Sequence, residues 1–230
     1  RDKKRVINNS RALELEISKI EQYKELEKFN IKFPKTLSTK NKNELIERSK
    51  EFNKPFITKH NRGGRGLGVK YFENSKELEK YATSQDFEDS IDSITLLQEY
   101  ISSKEKIITR VEFVKGKFLY AVQVDTSEGF QLCPADACNV EEKFCPANPD
   151  GNKFMILKDY ENSEIKKYEK LLKENGIEVA GIEYIKDQNG THYTYDINTN
   201  TNYNSIAERK IKDKGMDTIA KFLNDELKLN

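Results

Sequence analysis

The 230 residues suffice for one sizeable domain or two small lobes, and forty Lys and Arg against thirty-nine Asp and Glu leave a net charge of +1. That balance gives no general attraction to nucleic acid or anionic lipid, so neither is expected as a partner. Hydrophobic residues at 36% still build a core without any Trp, which sets disorder aside, and no stretch approaches the roughly 18 to 20 apolar residues of a membrane span. The opening Arg1-Asp-Lys-Lys-Arg5 resembles neither a signal peptide nor an initiator start, so an N-terminal part is expected to be missing. Three cysteines (Cys133, Cys138, Cys145) cannot all pair within the chain, and with no export signal they point to a reducing, cytoplasmic setting.

In chain order, residues 10–29 place Leu13, Ile17, Ile20, Tyr23 and Leu26 at helical spacing behind Ser10 as N-cap, and Phe33-Pro34 ends that helix. Asn43–Phe52 is expected to be a second helix, Pro55–Lys59 a short buried strand, and Asn61–Gly68 a glycine loop. Val69–Phe72 is then a returning strand, which makes a hairpin, and Ser75–Ala82 a helix. Thr95–Ile101 reads as an apolar strand, and Ile107–Val114 and Lys117–Val124 as strands joined by a tight turn at Lys115-Gly116. Ser127–Lys158 is expected to be irregular and functional, holding three of the five prolines and all the cysteines. Ser163–Asn175 is a helix stopped by Gly176; Val179–Ile185 and His192–Ile197 are strands around Asp187–Gly190; Ser205–Leu229 is a helix. Repeated hairpins argue for an α+β fold and against a continuous parallel sheet.

Two segments can carry chemistry. In Lys59-His-Asn-Arg-Gly63-Gly64-Arg65-Gly66-Leu-Gly68 the glycines let backbone N–H groups approach an anion, with a lysine at the strand end before them. No Gly-Lys-Ser/Thr closes the loop and a strand follows it, so it is not a Walker A loop, and a plain glycine turn would look the same. In Tyr195-Asp196-Ile-Asn198 the strand period puts Asp196 and Asn198 on one face, and a hairpin through Asn189-Gly190 brings Glu183 beside them. Two carboxylates and an amide oxygen suit Mg²⁺ or Mn²⁺ on phosphates; a solvated hairpin with surface acids is the bland alternative.

Taken in order, Ser18-Lys19, Phe33-Pro-Lys-Thr36, Lys59 with its glycine loop, Leu97-Gln-Glu-Tyr-Ile101, Thr109-Arg110, Ala180-Gly-Ile-Glu183 and Asp196-Ile-Asn198 resemble the ATP-grasp superfamily. The branch most resembled is that of the RimK-like carboxylate–amine ligases, over about residues 8 to 225. The resemblance implies an ATP-grasp fold of two α+β lobes clasping ATP, divided as a leading helix and linker (1–34), a small lobe with the glycine flap (35–97) and a large lobe with the metal site (98–230). An N-terminal pre-ATP-grasp domain, common in these ligases, is expected to be absent here. By the same resemblance Lys19 and Lys59 contact phosphates, and Gly63, Gly64, Arg65 and Gly66 belong to the flap over the triphosphate. Gln98, Glu99, Tyr100 and Ile101 form the hinge whose edge-strand backbone reads adenine, and Glu105 holds the ribose. Arg110, with Lys59, acts on the transferring phosphoryl group, and Glu183, Asp196 and Asn198 ligate Mg²⁺ or Mn²⁺.

Two departures stand out: Asp196 occupies a position where Glu is usual, and Asn202 and Asn204 replace a Pro-Gly pair, which leaves the acceptor side open. The implied reaction is ATP-dependent amide formation from a small-molecule or peptide carboxylate and an amine such as an amino acid, through an acyl phosphate. A kinase of the same fold, a non-catalytic ATP-binding module and a structural protein with an acidic hairpin are the alternatives, and homo-oligomerisation is left open. The spacings around Cys133, Cys138 and Cys145 fit zinc poorly, and Asp136 is a candidate amine contact on the same loop. His60 is expected to face the flap and His192 to be a strand residue; neither has a Ser or Cys partner for triad hydrolysis.

Overall fold

The computed structural model describes residues 4–64, 68–126, 154–157 and 160–228. The leading segment forms two helices, α1 (Ser10–Glu16) and α2 (Lys19–Lys28), where the sequence pattern suggested one. Asn9, and not Ser10, caps α1 by accepting the Ala12 N–H at 2.9 Å, and Ser18 caps α2. The break at Ile17-Ser18 restarts the helix because the Lys19 N–H donates outside it, to the Asn61 carbonyl at 3.2 Å.

The first sheet holds β1 (Thr36–Thr39), β2 (Phe56–His60), β3 (Lys70–Phe72) and β4 (Thr95–Glu99) in the order β1-β4-β2-β3, all antiparallel. Helices α3 (Lys42–Ser49), capped by Asn41, and α4 (Ser75–Thr83), capped by Asn74, cover it. Leu45, Phe56, Phe72, Leu78 and Leu97 form the small core between them.

The second sheet, order β7-β6-β5-β8-β9, is also wholly antiparallel. It comprises β5 (Ile107–Val114), β6 (Lys117–Asp125), β7 (Phe154–Leu157), β8 (Val179–Lys186) and β9 (His192–Asn198). Lys115 and Gly116 both take positive φ (56° and 65°), which closes β5 and β6 as a two-residue turn whose twist matches the strands. Within the stretch expected to be irregular, β7 is a strand paired to β6; Cys133, Asp136, Cys138 and Cys145 lie outside the described residues. Helix α5 (Glu164–Glu174) ends at Gly176 (φ 63°). The helix expected from Ser205 is a short 3-10 turn at Ala207–Lys210 followed by α6 (Gly215–Lys228), which starts only where the Gly215 N–H reaches the Glu208 carboxylate at 2.6 Å.

Strand alternation divides the large sheet. Val111 and Phe113 of β5, Ala121 of β6, and Ala180, Ile182 and Tyr184 of β8 point to the back, where Ala12, Leu15, Tyr23, Leu26, Tyr168, Leu171 and Leu172 of α1, α2 and α5 cover them. Each such buried Leu or Phe is worth about 1.5–3 kcal/mol of transfer from water, so the helices and sheet form one body. The front face carries Ile108, Arg110 and Glu112 of β5, both apolar and charged residues. On β4, Leu96 joins the large core and Leu97 the small one, so a single strand ties the two together. Among the described residues no helix is long and apolar enough to cross a membrane.

Candidate active site

The front of the large sheet faces a cavity of about 590 Å³, closed on its other side by β2, the loop after it and the end of β4. Register makes this face a grid. Ile108 lies between Ile185 and Val124, and Val124 pairs with Phe154, giving an apolar row. Two residues along, Arg110 lies between Glu183 and Val122, and Glu183 pairs with Asp196. Two further along, Glu112 lies between Gly181 and Tyr120, and Gly181 pairs with Asn198. On this sheet face the charged residues thus stand at one end and the apolar row at the other.

The charged end brings together six residues expected from the sequence. Lys19 Nζ lies 2.5 Å from Asp196 Oδ1, Arg110 Nη1 lies 3.2 Å from Glu183 Oε1, and Asn198 Nδ2 lies 3.5 Å from the same Glu183 oxygen. Lys59 Nζ donates to the Tyr195 carbonyl at 3.4 Å and lies over the Tyr23 and Tyr195 rings, at 5.3 and 5.8 Å from their centroids. Burial, with the Lys19 ammonium beside it, brings the Lys59 ammonium down to about 7, against the pull of Asp196 and Glu183. Burial likewise raises Glu183, and the neighbouring Asp196 adds to this while Arg110 opposes it. Burial would raise Asp196 too, yet the Lys19 and Lys59 ammonium groups hold it below the usual carboxylate range. Arg110 is buried but is held charged by Glu112 and Glu183.

The sequence reading missed three supports. Gly181 lies under Arg110: a Cβ there would sit 2.6 Å from Arg110 Nε, so only glycine lets the guanidinium lie across β8. Glu112 and Thr201 hold that guanidinium from the far side; Arg110 Nε donates to Glu112 Oε1 at 2.6 Å and Nη2 donates to the Thr201 hydroxyl, which donates to Glu112 Oε2 at 2.9 Å. Asn61 fixes the start of α2, its Oδ1 accepting the Ile20 N–H at 3.0 Å while its Nδ2 donates to Asp92 at 2.7 Å. Only Glu112, as a second acid two residues from Arg110 on one strand face, had a readable signal.

The edge position expected of the hinge strand needs correction. Thr95–Glu99 is an internal strand and not an edge, with β1 and β2 on either side. The Glu99 and Tyr100 N–H groups are already given to the Lys35 and Pro55 carbonyls, at 2.8 and 3.0 Å. The Gln98 amide is tied to the Tyr23 and Thr36 hydroxyls, both at 2.8 Å. Gln98, Glu99, Tyr100 and Ile101 nevertheless line the cavity. Glu105 is exposed and is not among the lining residues, whereas Ser103 and Lys106 are. Gly63 and Gly64 line the cavity; Arg65 and Gly66 lie outside the described residues. His60 does face the loop, its ring filling the space where a Gly68 Cβ would sit 2.9 Å away, and His192 is a strand residue bonded to Asn162.

Glu183, Asp196 and Asn198 fit a hard divalent cation. Both carboxylates are held by Lys19 and Arg110, cations that a metal would relieve, and turning the Asn198 amide presents its oxygen beside Glu183. Among the described residues no group of three or more His, Cys, Asp or Glu is placed to hold a metal, so a hard cation here would need phosphate or water oxygens to complete its shell.

Three solved structures share this architecture. The ATP-grasp ligase PsnB complexed with a minimal precursor superimposes with a TM-score of 0.66 at 16% identity, over 96% of this chain and 63% of PsnB. The RiPP-associated ATP-grasp ligase of Chryseobacterium gregarium, in complex with ADP and a leader and core peptide, gives 0.64 at 19%, over 95% of this chain and 62% of that one. D-cycloserine synthetase DcsG gives 0.67 at 12%, over 97% and 74%. The chain therefore spans less than two thirds of the first two proteins, and similarity at these identities establishes the fold. No curated protein matches the sequence significantly. Residues 17–143, more than half of the chain, match the RimK-like ATP-grasp domain, so the chain belongs to that family.

Proposed function

We propose that the cavity binds Mg-ATP and that the chain catalyses ATP-dependent ligation of a carboxylate to an amine. The observation that carries this reading is the convergence of Lys19, Lys59 and Arg110 on Glu183, Asp196 and Asn198 at one end of the cavity, with an apolar row of the sheet beside them. Ile108, Ile185 and Ile101 suit an adenine, and the three cations suit a polyphosphate one strand step away. PsnB has been solved with a precursor, Mg and ADP, which supports both nucleotide and metal here.

The reaction joins acid to amine through an acyl phosphate. Phosphoryl transfer to a carboxylate oxygen releases ADP, and attack of the amine nitrogen on the carbonyl carbon then releases inorganic phosphate and a proton. Arg110 is fixed from three sides, so its guanidinium neutralises transferred charge without reorganising. Lys19 and Lys59 hold phosphate oxygens from the α2 and β2 sides. Mg²⁺ held by Glu183, Asp196 and Asn198 supplies further charge neutralisation and orientation. Gly63 and Gly64, after β2, line the same cavity, where excluding water would protect an acyl phosphate from hydrolysis.

The precursor in the PsnB structure and the leader and core peptide in that of the C. gregarium ligase favour a peptide carboxylate, with an amino-acid or side-chain amine as acceptor. The test is ADP release by the purified chain across a panel of peptide and small carboxylic acids with amino-acid acceptors. Amine-dependent ADP release, with a product lighter by one water than its two parents, is expected. A stable phosphorylated acid formed without amine would make the chain a kinase, and Mg-ATP binding without turnover would make it a binding module.

A further inference from the structure

From the end of β9 the sequence repeats with a period of two: Asn198, Asn200, Asn202 and Asn204 alternate with Thr199, Thr201 and Tyr203. The structure separates the two sets. All four asparagines line the cavity, and of the residues between them only Tyr203 does. Those intervening residues are pinned to the body behind. Thr199 gives its N–H and its hydroxyl to Glu16 Oε2 at 2.5 and 3.0 Å, and its carbonyl accepts from Asn8 Nδ2 at 2.8 Å. Thr201 bonds Arg110 and Glu112, and the Tyr203 ring is seated on Gly215, where there is no room for a Cβ. Residues 199–204 belong to no strand or helix, yet every second one is held.

Two of the asparagines are already employed. Asn198 stands beside Glu183, and Asn204 Oδ1 accepts the Ile206 and Ala207 N–H groups at 3.0 and 2.9 Å. Asn200 and Asn202 are exposed, and among the described residues neither side-chain amide bonds a protein group. The main-chain N–H groups of residues 200–203 likewise donate to no described residue. A row of uncharged groups, each able to donate and to accept, complements a peptide main chain and not a charged or an apolar ligand. An extended peptide repeats its N–H and C=O on one side about every 6.8 Å, roughly the reach of two residues of the segment. A Pro-Gly pair in place of Asn202 and Asn204 would remove an N–H and both amides from this row.

We propose that Asn198–Asn204 is the edge along which a substrate peptide lies, held through its main chain by the Asn200 and Asn202 amides and the unspent N–H groups beside them. Its side-chain carboxylate is thereby delivered to Arg110, because Thr201, between the two asparagines, touches that guanidinium. Recognition through the main chain reads no side chain. The substrate class is then a peptide that carries an Asp or Glu within otherwise varied sequence, and not a free amino acid, which spans a single contact. The role of this edge rests on the ligase reading; its capacity to hold a peptide does not.

The test uses the full chain with Mg²⁺ and ADP and three probes, followed by saturation-transfer NMR, with ADP affinity measured by calorimetry on the same samples. The probes are the pentapeptide acetyl-Ala-Ala-Glu-Ala-Ala-amide, the same peptide N-methylated at the two alanines flanking its Glu, and the single residue acetyl-Glu-N-methylamide. The pentapeptide is expected to bind about tenfold more tightly than either of the others, since each of them lacks main-chain bonds. Asn200→Ala and Asn202→Ala are each expected to weaken the pentapeptide about threefold to tenfold, while the single residue and ADP bind as to the parent. Neither asparagine side chain bonds a described residue, so both variants keep the parent's melting temperature. Equal affinity for pentapeptide and single residue, no pentapeptide binding by the parent chain, or an unmoved affinity in either variant would overturn the edge. Failure of the ligase reading shows separately, as absence of Mg-ADP binding, and pentapeptide binding that the two variants weaken still supports the edge in that case.

Discussion

The carbonyl of Asn61 accepts the backbone N–H of Lys19 at 3.2 Å, so the first residue after β2 holds the first residue of α2. The same asparagine accepts the Ile20 N–H and donates to Asp92, itself held by the Ser90 hydroxyl at 2.6 Å. Lys19 and Lys59 come from distant parts of the chain, and this clamp fixes the distance between them. Asn61→Ala keeps the carbonyl but removes three side-chain bonds, from the Ser18 hydroxyl and the Ile20 N–H and to the Asp92 carboxylate, at a cost of about 1–3 kcal/mol. The expected outcome is a lower melting temperature and an ATP affinity reduced about tenfold, read by thermal unfolding and nucleotide titration. An unchanged ATP affinity would show that Lys19 is positioned without the clamp.

Gly181→Ala tests the packing under Arg110. The added methyl would lie 2.6 Å from Nε and 2.7 Å from Nη2, so the guanidinium must lift off β8 and strain its bonds to Glu112 and Glu183. Overpacking of this kind costs about 1–3 kcal/mol, while the nucleotide end of the cavity is untouched. Turnover is expected to fall about 100-fold with ADP affinity within about twofold of the parent, since a misplaced charge acts mainly in the transition state. Equal losses in ADP affinity and turnover would mean that Arg110 serves ground-state binding only.

Asp196→Asn keeps shape and removes the charge that Lys19 meets at 2.5 Å. Metal-dependent ATP turnover is expected to drop by at least about 100-fold, and the Mg²⁺ concentration needed for half-maximal rate to rise. Circular dichroism and melting check that the chain stays folded. Unchanged turnover across a Mg²⁺ titration would remove Asp196 from the metal site.

What was legible in the sequence follows from what is local. Asp196 and Asn198 could be placed on one face because they stand two residues apart on β9, and Arg110 came with the resemblance. The pairing of Glu183 with Asp196, by contrast, depends on a register shift between Glu183 and Tyr184 that the hairpin turn does not announce. The break between α1 and α2 could not be placed, because Ile17 and Ser18 continue the helical spacing and it is a distant backbone group, the Asn61 carbonyl, that competes for the Lys19 amide. The internal place of β4 and the strand at Phe154–Leu157 depend on partners far along the chain, which periodicity does not report. Gly181 stands in the Ala180–Glu183 motif, yet its reason is a side chain 71 positions away, at Arg110.

Lys59 gives the site a pH dependence whose sign can be worked out. In the free protein its ammonium is brought down to about 7 by burial and by Lys19, against a usual value of 10.5. Between those values the unfolded chain binds a proton at Lys59 that the folded chain does not, so this group alone makes stability rise with pH from about 7 to 10.5, and its full cost is felt below 7. A bound polyphosphate reverses the balance, since its charge draws the proton back onto Lys59. Nucleotide binding should therefore take up close to one proton at pH 8 and almost none at pH 6, with affinity falling as pH rises above 7. Calorimetry of ADP binding in buffers of different ionisation enthalpy measures the uptake directly. Lys59→Met retains whatever titration the nucleotide brings and loses the Lys59 contribution, so the difference between the two proteins isolates the lysine. Identical uptake in both would place the Lys59 ammonium outside the reach of the phosphates.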